Sequence, residues 1–135
     1  MDPYLMAGII RQESAFNERA VSRANARGLM QILPSTGRTM ARRLGLRSYA
    51  VTSLFDPHVN IKMGVVYFKQ LLEEHNNVVE DTLAAYNAGP DRVQAWRAVP
   101  YKDNLEFVES IPFTETRDYV KIVLRNAEIY RRLYP

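Results

Sequence analysis

Residues 2–17 read Asp-Pro-Tyr-Leu-Met-Ala-Gly-Ile-Ile-Arg-Gln-Glu-Ser-Ala-Phe-Asn. Asp2 is a helix N-cap, and Pro3 stands in the first turn, where its missing N–H leaves nothing unpaired. The pair opens a helix expected to run to about Ala15. Leu5, Met6, Ile9, Ile10 and Phe16 stand three, four, seven or eight residues from Glu13, so at helical spacing they share its face. A carboxylate at the end of an apolar stripe is costly unless a cation pairs with it or a raised pKa keeps it protonated. A glutamic acid of raised pKa is what a general acid at neutral pH requires. Paired with a nearby arginine at the helix end, the same Glu13 would be purely structural. On this helix alone, both readings stand.

Working outward, proline, glycine and cap residues cut the chain into short helices. Residues Phe16 to Arg27 lack a sustained period and read as a loop, and Gly28 to Leu33 as a short helical turn stopped by Pro34. Ser35 is expected to cap a helix through about Leu44, ended by Gly45. Asp56-Pro57 repeats the opening signal before the stripe Ile61, Gly64, Val65, Phe68, Leu71, Leu72. Further helices are expected over Asp81–Ala88, from Pro90 through Val93 and Trp96, and up to Val108. Thr114 should cap the last and longest helix, with the stripe Tyr119, Ile122, Val123, Asn126, Tyr130, Leu133. No segment alternates at period two for long enough to build a sheet. The expectation is one mainly α-helical domain.

Composition agrees. The 135 residues are 47% hydrophobic and 24% charged, a globular balance that excludes a disordered chain. The longest apolar run, Leu5 to Ile10, is far short of the roughly 20 residues of a membrane span. With no cysteine, disulfides, thiolate zinc sites and thiol nucleophiles are excluded, and His58 and His75 leave little for a metal. The net charge of +3 is uneven: residues 1–50 hold eight arginines against Asp2, Glu13 and Glu18, a local +5. A basic patch attracts nucleic acid, acidic membranes or anionic polymers without choosing among them. Arg38, Arg42, Arg43 and Arg47 suggest a nucleic-acid-binding helix, but read more simply as a solvated basic face.

Context decides between the readings of Glu13. The segment 11–17 is followed by Ser22, then by Ala-Arg-Gly-Leu-Met-Gln (26–31) and Pro34. Later come Ala-Ala-Tyr-Asn-Ala-Gly-Pro (84–90) and Phe-Val-Glu-Ser-Ile-Pro-Phe-Thr-Glu-Thr-Arg-Asp-Tyr-Val (107–120). In these four ordered motifs, over nearly its whole length, the chain resembles the catalytic domain of soluble lytic transglycosylases, whose lysozyme-like fold is related to goose-type lysozyme. The resemblance implies a single helical domain with a saccharide-binding groove over residues 1–135. It makes Glu13 the single catalytic acid/base and Ser22 a residue that orients the reacting sugar. Gly28, Leu29, Met30 and Gln31 become one groove wall, Tyr86 and Asn87 shape the site around the acid, and Glu109 and Tyr119 form a second polar wall. Asn25 departs from the glycine found there in many relatives, a change asparagine tolerates because it also adopts positive φ.

The implied reaction uses one carboxyl group where ordinary glycosidases use two. Neutral Glu13 protonates the glycosidic oxygen between N-acetylmuramic acid and N-acetylglucosamine, and the sugar's own 2-acetamido group stabilises the developing charge. The Glu13 carboxylate then takes the proton of the muramic C6 hydroxyl as that oxygen attacks C1, giving a 1,6-anhydro sugar without metal or organic cofactor. The implied partner is the peptidoglycan glycan strand, met by a monomer in the periplasm or cell envelope; nucleic acid is not expected. Because no secretory signal opens the sequence, the expectation is a domain cut from a longer exported protein, or one delivered by another route. Two rivals are a hydrolase like goose-type lysozyme, which needs a second acid to recruit water, and a peptidoglycan-binding module without catalysis. Glu18 and Glu109 are the second acids considered, and neither matches a lysozyme base in the resemblance.

Overall fold

A computed structural model describes all residues, 1–135. Asp2 caps α1 (Pro3–Ser14) by accepting the Tyr4 amide at 2.9 Å. The helix stops where Ala15 and then Phe16 take left-handed conformations, with φ of 50° and 62°. That turn carries Phe16 off the buried face it was expected to share with Glu13, and it is half exposed. Leu5, Met6, Ile9 and Ile10 are buried as expected.

α2 (Pro34–Leu44) begins at Pro34 itself, with Leu33 as N-cap and no side-chain cap, so Ser35 is not the cap. The proline supplies the preset φ and lacks the N–H a cap would satisfy. A 3₁₀ turn, Val51–Phe55, precedes α3 (Pro57–Glu74), which Asp56 caps through the His58 amide at 2.9 Å. α4 (Val79–Ala88), α5 (Pro90–Arg97) and α6 (Asn104–Glu109) follow the expected punctuation to within a few residues. α7 (Thr114–Leu133) starts after Phe113, and Thr114 makes no cap hydrogen bond.

Residues 28–31 are not a helical turn. Arg27 and Ile32 exchange backbone hydrogen bonds of 2.9 and 3.0 Å, closing a tight reversal in which Gly28 and Gln31 have φ of 81° and 54°. Positive φ at both positions excludes a right-handed helix.

The core forms where α1 lies along α7, with α4 packed on α3, α5 and α7. α1 and α7 approach closely at Gly8, where a Cβ would stand 2.8 Å from the Val123 carbonyl oxygen. This contact sets the buried face of α7 as Thr116, Tyr119, Val120, Val123 and Ala127. Tyr119 and Val123 match the expected stripe; Ile122 and Leu133 are exposed instead. No helix is long and apolar enough to cross a membrane.

Candidate active site

Glu13 sits in the last turn of α1, at the floor of a cavity of about 540 Å³. The loop after α1 returns over the helix end through Ser22, Arg23, Ala24 and Ala26, and the reversal 27–32 supplies Gln31 and Ile32. Tyr67 of α3, Tyr86 and Asn87 of α4, Thr36 of α2 and Glu115 of α7 complete the lining. Six segments besides α1 thus share one cavity with this carboxyl group.

Burial is the largest influence on Glu13 and lifts its pKa to about 7. The Tyr119 hydroxyl donates to Glu13 Oε2 at 3.1 Å, which favours the carboxylate and opposes the rise, while the negative charge of Glu115 adds to it. No cation pairs with Glu13, so the structural arginine-pair reading fails. An acid of pKa near 7 is half protonated at neutral pH, and so can both give and receive a proton there.

The surroundings are braced mostly through backbone. The Ser14 hydroxyl, next to the acid, donates to the Leu29 carbonyl at 2.8 Å and ties the end of α1 to the reversal. Gln31 Nε2 donates to the Ala20 and Gly28 carbonyls at 3.1 and 3.0 Å. Ser22 Oγ accepts the Ala26 amide at 3.0 Å, holding the cavity loop in a tight turn. Tyr86, buried against Tyr67, donates to the Met30 carbonyl at 2.6 Å. Asn87 Oδ1 accepts from the Thr116 hydroxyl at 2.8 Å, which fixes the amide's orientation toward the cavity.

The structure thus gathers Glu13, Ser22, Gln31, Tyr86 and Asn87 around one cavity. Tyr119 reaches the same acid from behind, 4% exposed, so it positions Glu13 and is not a wall. Gly28, Leu29 and Met30 are buried and do not line the cavity; only their backbone serves the site. Glu109 is displaced as well. It lies exposed at the end of α6, in an ion pair of 2.7 Å with Lys121, outside the lining. The acid that does enter from the C-terminal motif is Glu115, six residues on. It stands in the first turn of α7, one turn before Tyr119, within the same motif as Glu109. Tyr67 on α3 was also missed, because nothing in its spacing relates it to Glu13.

A larger hollow, about 810 Å³, lies elsewhere, between α4, α5 and α6. Its Arg97 and Asp81 satisfy each other: Arg97 makes two 2.9 Å hydrogen bonds to Asp81 and stacks over Phe107 at 4.1 Å. No group of three or more His, Asp or Glu side chains is placed to hold a metal ion.

A family model described as the transglycosylase SLT domain matches residues 1–106. The chain belongs to this family. A second model, the soluble lytic transglycosylase helical domain, matches residues 110–134. The chain is 43% identical over 131 residues to the soluble lytic murein transglycosylase of Escherichia coli K12, covering 95% of this chain and 20% of that protein. The crystal structure of an inactive mutant of the lytic transglycosylase Slt from Pseudomonas aeruginosa superposes with a TM-score of 0.90 at 38% identity, over 96% of this chain and 21% of that one. The 70 kDa soluble lytic transglycosylase of E. coli gives a TM-score of 0.87 at 38% identity, over 96% and 22%. The chain therefore spans about a fifth of the length of the curated relatives it matches. The lysozyme-like, mainly helical SLT fold is the fold observed.

Proposed function

We propose that this SLT domain is a peptidoglycan lytic transglycosylase, cleaving the β-1,4 bond between N-acetylmuramic acid and N-acetylglucosamine without water and leaving 1,6-anhydro-N-acetylmuramic acid ends. The observation that carries this reading is Glu13: an unpaired acid, its pKa raised to about 7, at the floor of a polar cavity in a family of transglycosylases. Protonated Glu13 gives its proton to the glycosidic oxygen as the bond to C1 breaks. The 2-acetamido group supports the cationic sugar. The carboxylate left on Glu13 then removes the proton of the muramic C6 hydroxyl while that oxygen bonds to C1. Acid and base are one group on one face of the sugar, and the nucleophile belongs to the same ring, which supplies a high effective concentration. Ser22, Gln31, Tyr86 and Asn87 line the cavity that receives the strand, and their hydrogen bonds to the backbone and to Thr116 hold its shape. No cofactor takes part. The domain is read as acting alone, on glycan strands in the periplasm or cell envelope, with residues 1–135 as the catalytic unit.

One observation favours a second reading. Glu115 is a second carboxylate in the cavity, and hydrolysis as in goose-type lysozyme needs such a base to activate water. Mass spectrometry of sugars released from purified peptidoglycan separates the two. Anhydro ends, lighter by one water, are expected; reducing N-acetylmuramic acid as the main end would transfer the protein to the hydrolases.

A further inference from the structure

Asn60, in the first turn of α3, is completely buried and lies outside the cavity lining. Its Oδ1 accepts the Met30 amide at 2.7 Å, and its Nδ2 donates to the Arg27 and Leu54 carbonyls, each at 2.8 Å. One side chain thereby clamps both ends of the Arg27–Met30 segment and ties it to the 3₁₀ turn. Gly28 is part of the same fit: a Cβ there would stand 2.3 Å from Asn60 Nδ2 and 2.2 Å from the Leu54 carbonyl oxygen. The clamped segment ends at the Met30 carbonyl, the acceptor of the Tyr86 hydroxyl at 2.6 Å. Tyr86 in turn lines the cavity with Glu13 and lies within reach of its charge.

Tyr119 and Glu115 from α7 and Tyr86 from α4 act on Glu13, and Tyr67 from α3 and Arg23 from the loop share its cavity. Of these, Tyr119 alone donates a hydrogen bond to it. We propose that Asn60 is a positioning residue for the acid: by fixing the Met30 carbonyl it keeps the Tyr86 hydroxyl engaged there and off Glu13. The inference rests on the reading of Glu13 as general acid. Freed from Met30, the Tyr86 hydroxyl becomes a second donor to the Glu13 carboxylate. Donors to the charged form favour it, so Glu13 then ionises at lower pH. A charge-assisted hydrogen bond gained in this way corresponds to a fall of roughly one pH unit.

The test follows the Glu13 carboxyl directly, by carbon-13 NMR titration, together with the pH profile of strand cleavage. Asn60→Ser should lower the Glu13 midpoint and the high-pH limb by about one unit. The drop should vanish in Asn60→Ser/Tyr86→Phe relative to Tyr86→Phe alone. Gly28→Ala, which strikes the clamp from the other side, should act in the same direction. An unchanged midpoint in folded Asn60→Ser, or an equal drop without the Tyr86 hydroxyl, would overturn the proposal. If neither variant folds, hydrogen exchange in the unsubstituted protein decides. The Met30 amide and the Asn60 side-chain amide should exchange only through global unfolding, and exchange orders of magnitude faster would overturn the clamp. Because the titration needs no turnover, it can fail while anhydro products still form, or succeed on an enzyme that proves to hydrolyse.

Discussion

Burial, not a charged partner, sets the charge of Glu13, the acid of the proposed reaction. Glu13→Gln should keep the fold and cut turnover by at least about 10²-fold, the low end for loss of a general acid; near-wild-type turnover by the folded variant would remove the assignment. The same pKa has a stability consequence with a definite sign. The folded carboxyl holds its proton up to about 7, whereas the unfolded one releases it near the ordinary value of 4.5. Between those values the folded state binds more protons, so stability falls as pH rises through this window and then levels. Glu13→Gln should abolish that fall, making the variant more stable than wild type at pH 8 by roughly 2 to 3 kcal/mol, as urea unfolding at pH 4 and pH 8 would measure. Tyr119→Phe removes the hydrogen bond that favours the carboxylate. It should therefore move the high-pH limb of activity upward, opposite to the effect of freeing Tyr86. Glu109→Ala, which breaks only an exposed ion pair with Lys121, should change stability by less than about 1 kcal/mol and leave cleavage intact. A large loss of activity there would restore Glu109 to the site.

Among the helices, the crossing of α1 and α7 matters most, since it brings Tyr119 to Glu13 across 106 residues of sequence. Gly8 permits the approach. Gly8→Ala places a methyl 2.8 Å from the Val123 carbonyl and should cost about 1 to 3 kcal/mol by overpacking, visible as a lowered melting temperature. Here the limits of the sequence reading have physical causes. Caps such as Asp2-Pro3 and Asp56-Pro57 are local signals, and the helices they open were legible. The buried face of α7 was only half legible: it is chosen by a seam of small residues against Gly8, so Ala127 is buried while Leu133 is not. The reversal at 28–31 was not legible, since Pro34 marks a stop without showing what precedes it. Its shape comes instead from Gly28, Gln31 and the distant Asn60. The residues that the resemblance named include Glu13, Ser22, Gln31, Tyr86 and Asn87, which line one cavity; a motif carries no information on whether a residue meets that cavity through its side chain or its backbone.

Charge is divided across the whole molecule. Of the five ion pairs, none involves any of the eight arginines of residues 1–50. Arg38, Arg42, Arg43 and Arg47 are exposed on and just after α2, whose first turn lines the cavity at Thr36. In the proposed reaction Glu13 alone serves as acid and base, with the sugar's own C6 oxygen as nucleophile. Digestion of purified peptidoglycan in water enriched with heavy oxygen tests it most directly. The expected result is 1,6-anhydro-N-acetylmuramic acid ends carrying no label at C1. A heavy oxygen at C1 of a reducing end, as the main product, would show that water attacks and would contradict it.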